Sequence, residues 1–237
     1  MRSFSFSAVW VLGAAGLVAA GSAAAEGDLR GVWKPQRYVA ALRTVDGKAP
    51  PLLPAAAKIY QGRVAAAKAG KANGDPLAQC LPAGTPRSMF QMRPFLLVQT
   101  PHKVTLVHEF QHLVRHVPLN EAVSFDETTW QGTSAGRWEG DTLVIQTEGF
   151  NGQTWLDEAG LPHSDQLKVT ERLSPKGAGK MVAEITINDP ATYSAPWKTT
   201  VEFEQVPNGD LGWHVCTEKL FPMPADARPG PPPGEGR

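Results

Sequence analysis

The sequence predicts a mainly β protein: an antiparallel up-and-down β-barrel with one N-terminal helix, a β-sandwich being the alternative architecture. Three observations lead there. Beyond residue 95 apolar and polar residues alternate with period two over most of the chain. Turn signals rich in Gly, Pro, Asn and Asp separate about eight such runs. A single segment, before residue 70, has helical spacing instead.

The elements follow in chain order. Residues 1–25 read as a secretory signal, with Arg2 at the start, an apolar core from Ala8 to Ala20, and Ala23-Ala24-Ala25 as a small-residue cleavage site. That core is shorter than the ~20 residues of a membrane span. Gly31-Val32-Trp33 opens the first strand. Pro50, Pro51 and Pro54 break the chain, and residues 54–69 read as a helix with Pro54 in its first turn and Ala57, Tyr60, Val64 and Ala67 on one face. Gly74-Asp75-Pro76 ends that unit, and 80–101 is an irregular segment running into PFLLVQT.

From there the alternation assigns faces. Residues 103–117 read as one strand on which Glu109 shares a face with Val107 and Arg115. Glu139-Gly140-Asp141-Thr142 is a hairpin with a primed turn that pairs Trp138 with Leu143. Leu167, Val169, Glu171 and Leu173 share one face, as do Met181, Ala183, Ile185 and Ile187, and then Val201 and Phe203. Pro207-Asn208-Gly209-Asp210 is a turn. Residues 26–223 therefore form one domain, and 224–237 are too rich in Pro and Gly to pack, so they are expected to be a disordered tail.

Composition excludes whole classes of partner. The chain has 23 basic and 23 acidic residues. Loss of the leader removes Arg2 and no acid, leaving a net charge of −1. No electrostatic footprint for nucleic acid or an anionic membrane remains, and no integral membrane segment follows the signal. Export to the periplasm or medium also makes the only two cysteines, Cys80 and Cys216, a disulfide pair. The sequence implies no cofactor and leaves the oligomeric state open.

The stretch 130–172 mixes three of the seven tryptophans with Arg137, Glu139, Asp141, Asp157, His163, Asp165, Glu171 and Arg172. Aromatic and ionisable groups interleaved in this way suit a shaped small-molecule site. Glu171 is the sharpest clue, because its strand places a carboxylate on the buried face, where it needs a partner such as Arg115 or Arg137. Glu109 raises the same question. His163, on a Gly- and Pro-containing loop, is a candidate proton donor or acceptor. Trp33 and Trp138 read as structural, whereas Trp130 and Trp155 lie beside loops and are better placed to stack on a ligand.

His108-Glu109-Phe110-Gln111-His112 matches H-E-x-x-H, a zinc-hydrolase pattern that works only on a helix. In a strand, residues four apart are separated by ~13 Å and cannot share an ion, so no metal is expected. His116 continues a row of imidazoles rather than a chelate.

The blocks QCLPAGTPRSM (79–89), WQGTSAGRWEGDTLVIQTEGF (130–150), WLDEAGLPHSDQLKVTERL (155–173) and TINDPATYSAPW (186–197) resemble a large family of uncharacterised secreted bacterial proteins. Members usually lack the histidines of HEFQH and carry a Tyr- and Gly-rich segment after the late cysteine, from which Thr217 to Pro222 departs. Gly31-x-Trp33 followed by antiparallel strands is similar to the lipocalin (calycin) arrangement, in which an early tryptophan closes one barrel end.

These readings converge on an exported barrel that binds a small apolar or aromatic molecule, its site lined by Arg115, Trp130, Arg137 and Trp155 with Glu109, His163 and Glu171. The alternative is a periplasmic lyase, isomerase or hydrolase on the same scaffold, with Glu171 or Glu109 as base and His163 as acid. An H-E-x-x-H zinc hydrolase is a more distant third.

Overall fold

Alternating sequences bury one face of each strand, and nine such strands curl around a shared interior. The computed structural model describes residues 27–72, 74–212 and 216. The expected leader, the tail after residue 223 and Trp213 lie outside the described residues. The strands are β1 (Gly31–Pro35), β2 (Phe95–Gln99), β3 (Lys103–His108), β4 (Val114–Pro118), β5 (Thr133–Glu139), β6 (Thr142–Glu148), β7 (Lys168–Pro175), β8 (Lys180–Asn188) and β9 (Trp197–Gln205). Helix α1 (Pro54–Lys68) lies between β1 and β2.

The sheet order β4-β3-β2-β1-β9-β8-β7-β6-β5 is antiparallel at every step. An odd number of alternating strands leaves the two ends, β4 and β5, pointing the same way. They meet in a short parallel contact, Leu119 with Gly136, so the barrel is nearly closed. Asn120 N–H donates to the Gly136 carbonyl at 2.7 Å across this seam. A Cβ on residue 136 would lie 2.8 Å from Val117 Cγ1, so only glycine allows β4 to approach this closely.

The expected faces hold. Leu167, Val169, Glu171 and Leu173 are all buried, as are Met181, Ala183, Ile185, Ile187, Val201 and Phe203. Large inward side chains such as Phe95 and Phe203 each contribute about 2–3 kcal/mol relative to exposure. Outward positions carry ion pairs, Lys198 of β9 with Glu184 of β8, and Lys176 of the turn between β7 and β8 with Glu202 of β9. This is the reverse of the apolar outer band of a membrane barrel. No helix among the described residues is long and apolar enough to cross a membrane.

Turn chemistry separates the two ends. Residues 100–102, 140–141 and 176–179 make tight turns at one end, the hairpin end. Trp138 does pair with Leu143, and Gly140 takes the positive φ of 64° that the first position of the primed turn requires. Trp33 Nε1–H donates to the Leu29 carbonyl at 2.8 Å, tying the strand to the segment before it. The connections 36–94, 109–113, 149–167 and 189–196 gather at the other end, the loop end, while 119–132 runs from one to the other.

One expectation fails. Residues 103–117 are two strands, and the chain reverses through Gln111 and His112 at φ 60° and 48°. Parity is therefore lost across the turn: Arg115 faces inward, Val107 outward, and Glu109 lies beyond the end of β3.

The Cys80–Cys216 disulfide is formed, closing a sequence separation of 136 residues. Loop-closure entropy for that length is worth about 5 kcal/mol, with native strain lowering the yield. Cys80→Ala together with Cys216→Ala should lower unfolding stability by about 2–5 kcal/mol, read from urea melts of the two chains. A loss under 1 kcal/mol would show that these ends are held by other contacts.

Candidate functional site

Polar residues placed at inward parity positions meet inside the barrel, towards the loop end. Arg115 of β4 reaches over the seam: its Nε–H donates to Ser134 Oγ at 2.9 Å, and Nη2 donates to Thr147 Oγ1 at 2.7 Å and to Glu171 Oε2. Ser134 and Thr147 hydroxyls are 3.0 Å apart and join the two sides. The Arg115 and Glu171 side chains are 3% and 0% exposed. One guanidinium thus ties β4 to β5, β6 and β7, where the backbone ladder is interrupted.

The network is incomplete. Arg115 Nη1, Glu171 Oε1 and His108 Nε2 are buried and have no hydrogen-bond partner among the described residues. His108 closes β3 with its ring 5.4 Å from that of Phe95. Burial, reinforced by the Arg115 charge, holds its pKa at about 3, so the imidazole is neutral at ordinary pH. A half-satisfied buried network is costly, each bare group forfeiting about 1–3 kcal/mol of solvation.

The other predicted residues are not brought to this point. His163 is buried, but both ring nitrogens are engaged: Nδ1–H donates to the Ser164 carbonyl at 2.8 Å, and Nε2 lies 2.6 Å from Thr154 Oγ1. Since a carbonyl only accepts, Nδ1 carries the proton and Nε2 accepts from the hydroxyl. Burial lowers its pKa, in keeping with that neutral tautomer. Glu109 takes the Gly212 N–H on Oε2 at 2.9 Å, with Arg93 at 3.6 Å from Oε1. Arg137 faces outward and pairs with Glu139, which also binds Arg172. Trp155 is 3% exposed, and the Arg63 guanidinium lies 4.5 Å from its ring centre. Trp130 is half-buried at the loop end.

Much of the aromatic and ionisable content of 130–172 instead anchors loops. Asp157 accepts from the Leu161 and Leu42 N–H groups at 2.9 Å each, and burial raises its pKa. Asp189 accepts from Ser164 N–H and Oγ–H at 2.7 Å each. The buried Arg87 forms a two-pronged pair with Asp75, both contacts 2.7 Å. Ser134 and Thr147 escaped the sequence reading. The available signal was parity: Ser134 shares its strand face with Gly136 and Trp138, and Thr147 with Ile145, but the charged residues nearby overshadowed it.

His108 and His112 sit at a strand end and in a turn, not on a helix, so the geometry that H-E-x-x-H requires is absent. No group of three or more His, Cys, Asp or Glu side chains positioned to hold a metal occurs among the described residues.

Fold and site together define a water-facing antiparallel barrel with a buried ionic cluster at its seam. No family model, curated protein or solved structure matches the chain.

Proposed function

We propose that the protein is an exported, periplasmic or secreted, binding protein that holds a small apolar or aromatic molecule in its barrel, below the loop end. Arg115, Glu171 and His108 face the polar group of that molecule. The observation that carries this reading is the trio of buried atoms that have no hydrogen-bond partner among the described residues, Arg115 Nη1, Glu171 Oε1 and His108 Nε2. A ligand group that accepts from the guanidinium while donating to the carboxylate completes the network, and the apolar wall receives the rest. The cluster is buried, with Arg115, His108 and Glu171 at 4%, 3% and 0% exposure, so entry requires the loop end to part. The leader-like residues 1–25, the disulfide and the resemblance to secreted bacterial proteins support export.

A neutral probe tests the reading. 2-Naphthamide, whose amide accepts and donates at once, should quench tryptophan fluorescence of the mature chain saturably. The apolar pair Arg115→Met with Glu171→Leu should bind it at least about tenfold more weakly, the value of hydrogen bonds to charged groups. Absence of saturation in the wild type, or equal affinity in the pair, would sink the proposal.

The same corner favours a second reading, a general acid–base enzyme in which Glu171 takes a proton and Arg115 stabilises the developing negative charge. Under that reading Glu171→Gln stops turnover and leaves binding in place.

A further inference from the structure

A cleft of about 440 Å³ lies outside the barrel, between residues 37–47 and β9. Its size is within the range of small-molecule sites, about 300–1,000 Å³. Its walls combine Tyr38, Val39, Val45 and Thr200 with two guanidinium groups, Arg37 and Arg43. Tyr38 and Val45 are 57% and 60% exposed, large apolar surface left open to water at the same place.

The loop that forms the cleft is held at several points. Gln36 N–H donates to the Glu202 carbonyl, Val45 N–H to the Lys198 carbonyl, and Ala159 N–H to the Ala40 carbonyl, all at 2.9 Å. Leu42 N–H is fixed by the Asp157 carboxylate. The cleft is therefore preformed, which lowers the ordering cost of binding.

Charge is unbalanced there. Of the carboxylates nearby, Asp46 is paired with Lys48 and the Thr44 hydroxyl and Glu202 with Lys176, while Glu158 accepts from the Tyr38 hydroxyl and keeps its charge, leaving two cationic groups against one acid. Among the described residues neither Arg37 nor Arg43 makes an ion pair within 4 Å, although Arg37 acts through space on the Glu202 carboxylate that Lys176 holds. Two guanidinium groups that line one apolar-walled cleft and make no contact ion pair are suited to planar, two-pronged recognition of a carboxylate.

We propose that this cleft binds a small organic carboxylate with an apolar or aromatic body, Arg37 and Arg43 holding the carboxylate while Tyr38, Val39 and Val45 cover the body. The assignment is independent of the barrel interior. A phosphate-type anion meets the guanidinium groups equally well but gains little from the apolar walls, so the body of the ligand decides.

Calorimetric titration of the mature chain tests this with three probes: 4-phenylbutyrate, acetate and inorganic phosphate. 4-Phenylbutyrate should saturate one site and outbind acetate and phosphate by about tenfold or more, the contribution of its apolar body. Arg37→Gln and Arg43→Gln should each weaken it about fivefold, and together more, with the melting temperature unchanged because both residues are exposed. High salt should weaken binding in the wild type. Unaltered affinity in the double variant, no saturation by 4-phenylbutyrate, or phosphate binding as tightly as 4-phenylbutyrate would each overturn the proposal. The double variant retains the interior cluster, so 2-naphthamide binding there should persist, and failure at one site is distinguishable from failure at the other.

Discussion

Glu171→Leu should lower unfolding stability by about 3–5 kcal/mol, the usual cost of leaving one member of a buried ion pair alone. The partner left behind is Arg115, 3% exposed and aimed into the barrel with only the Ser134 and Thr147 hydroxyls to hold it. In a domain of this size the loss corresponds to a melting temperature lower by about 10 °C. Adding Arg115→Met should restore most of it, because the pair is removed from water only at a large desolvation cost and apolar side chains of similar volume escape that cost. The pattern of one severe single variant and one mild double variant is the signature of a buried pair, and chemical melts of the three chains measure it. A Glu171→Leu loss below 1 kcal/mol would show that the carboxylate reaches water and that β4 and β5 are held by other means.

Acid should destabilise the fold through His108. The unfolded imidazole has its ordinary pKa near 6.5, whereas burial and the Arg115 charge hold the folded one at about 3. Above pH 6.5 both states are neutral and the stability is fully present. As pH falls from 6.5 towards 3, the unfolded chain gains a proton that the folded chain refuses, so stability declines. By pH 4.5 the loss reaches about 3 kcal/mol. His163, also lowered by burial, adds a loss of the same sign. Urea melts of the wild type and of His108→Gln at pH 7.5 and 4.5 isolate the first contribution: the stability advantage of the wild type should shrink by about 3 kcal/mol at the lower pH. A constant advantage would mean that His108 is protonated equally in both states.

Some of this architecture was legible because local chemistry and global packing agree. The run from Leu167 to Leu173 alternates strictly, so its inward face is readable without knowing what lies opposite. Gly140 permits the conformation that its hairpin needs, and its position sets the Trp138–Leu143 register. The reversal at Gln111 and His112 carries no such mark. Non-glycine residues adopt left-handed backbone at a cost of about 1–2 kcal/mol each, and here pairing of β3 with β4 imposes it. Counting parity through that turn therefore grouped Glu109 with Arg115, which the fold separates.

Interior chemistry followed the same division. The sequence alone marked Glu171 as a carboxylate on a buried face and named Arg115 among its possible partners. It also marked His163, Asp157 and Trp155 as members of an aromatic and ionisable stretch. Only the folded chain assigns their tasks: Asp157 and His163 fasten loops through hydrogen bonds, and Arg63 covers Trp155.

The sequence by itself determined the strand faces, the single helix and the polar outer wall, because each depends on residues a few positions apart. Tertiary structure decided the parallel seam, the partner chosen by Glu171 and the cleft beneath residues 37–47. Those features depend on groups brought together from distant parts of the chain, and an odd count of alternating strands dictates the seam only once all nine have paired.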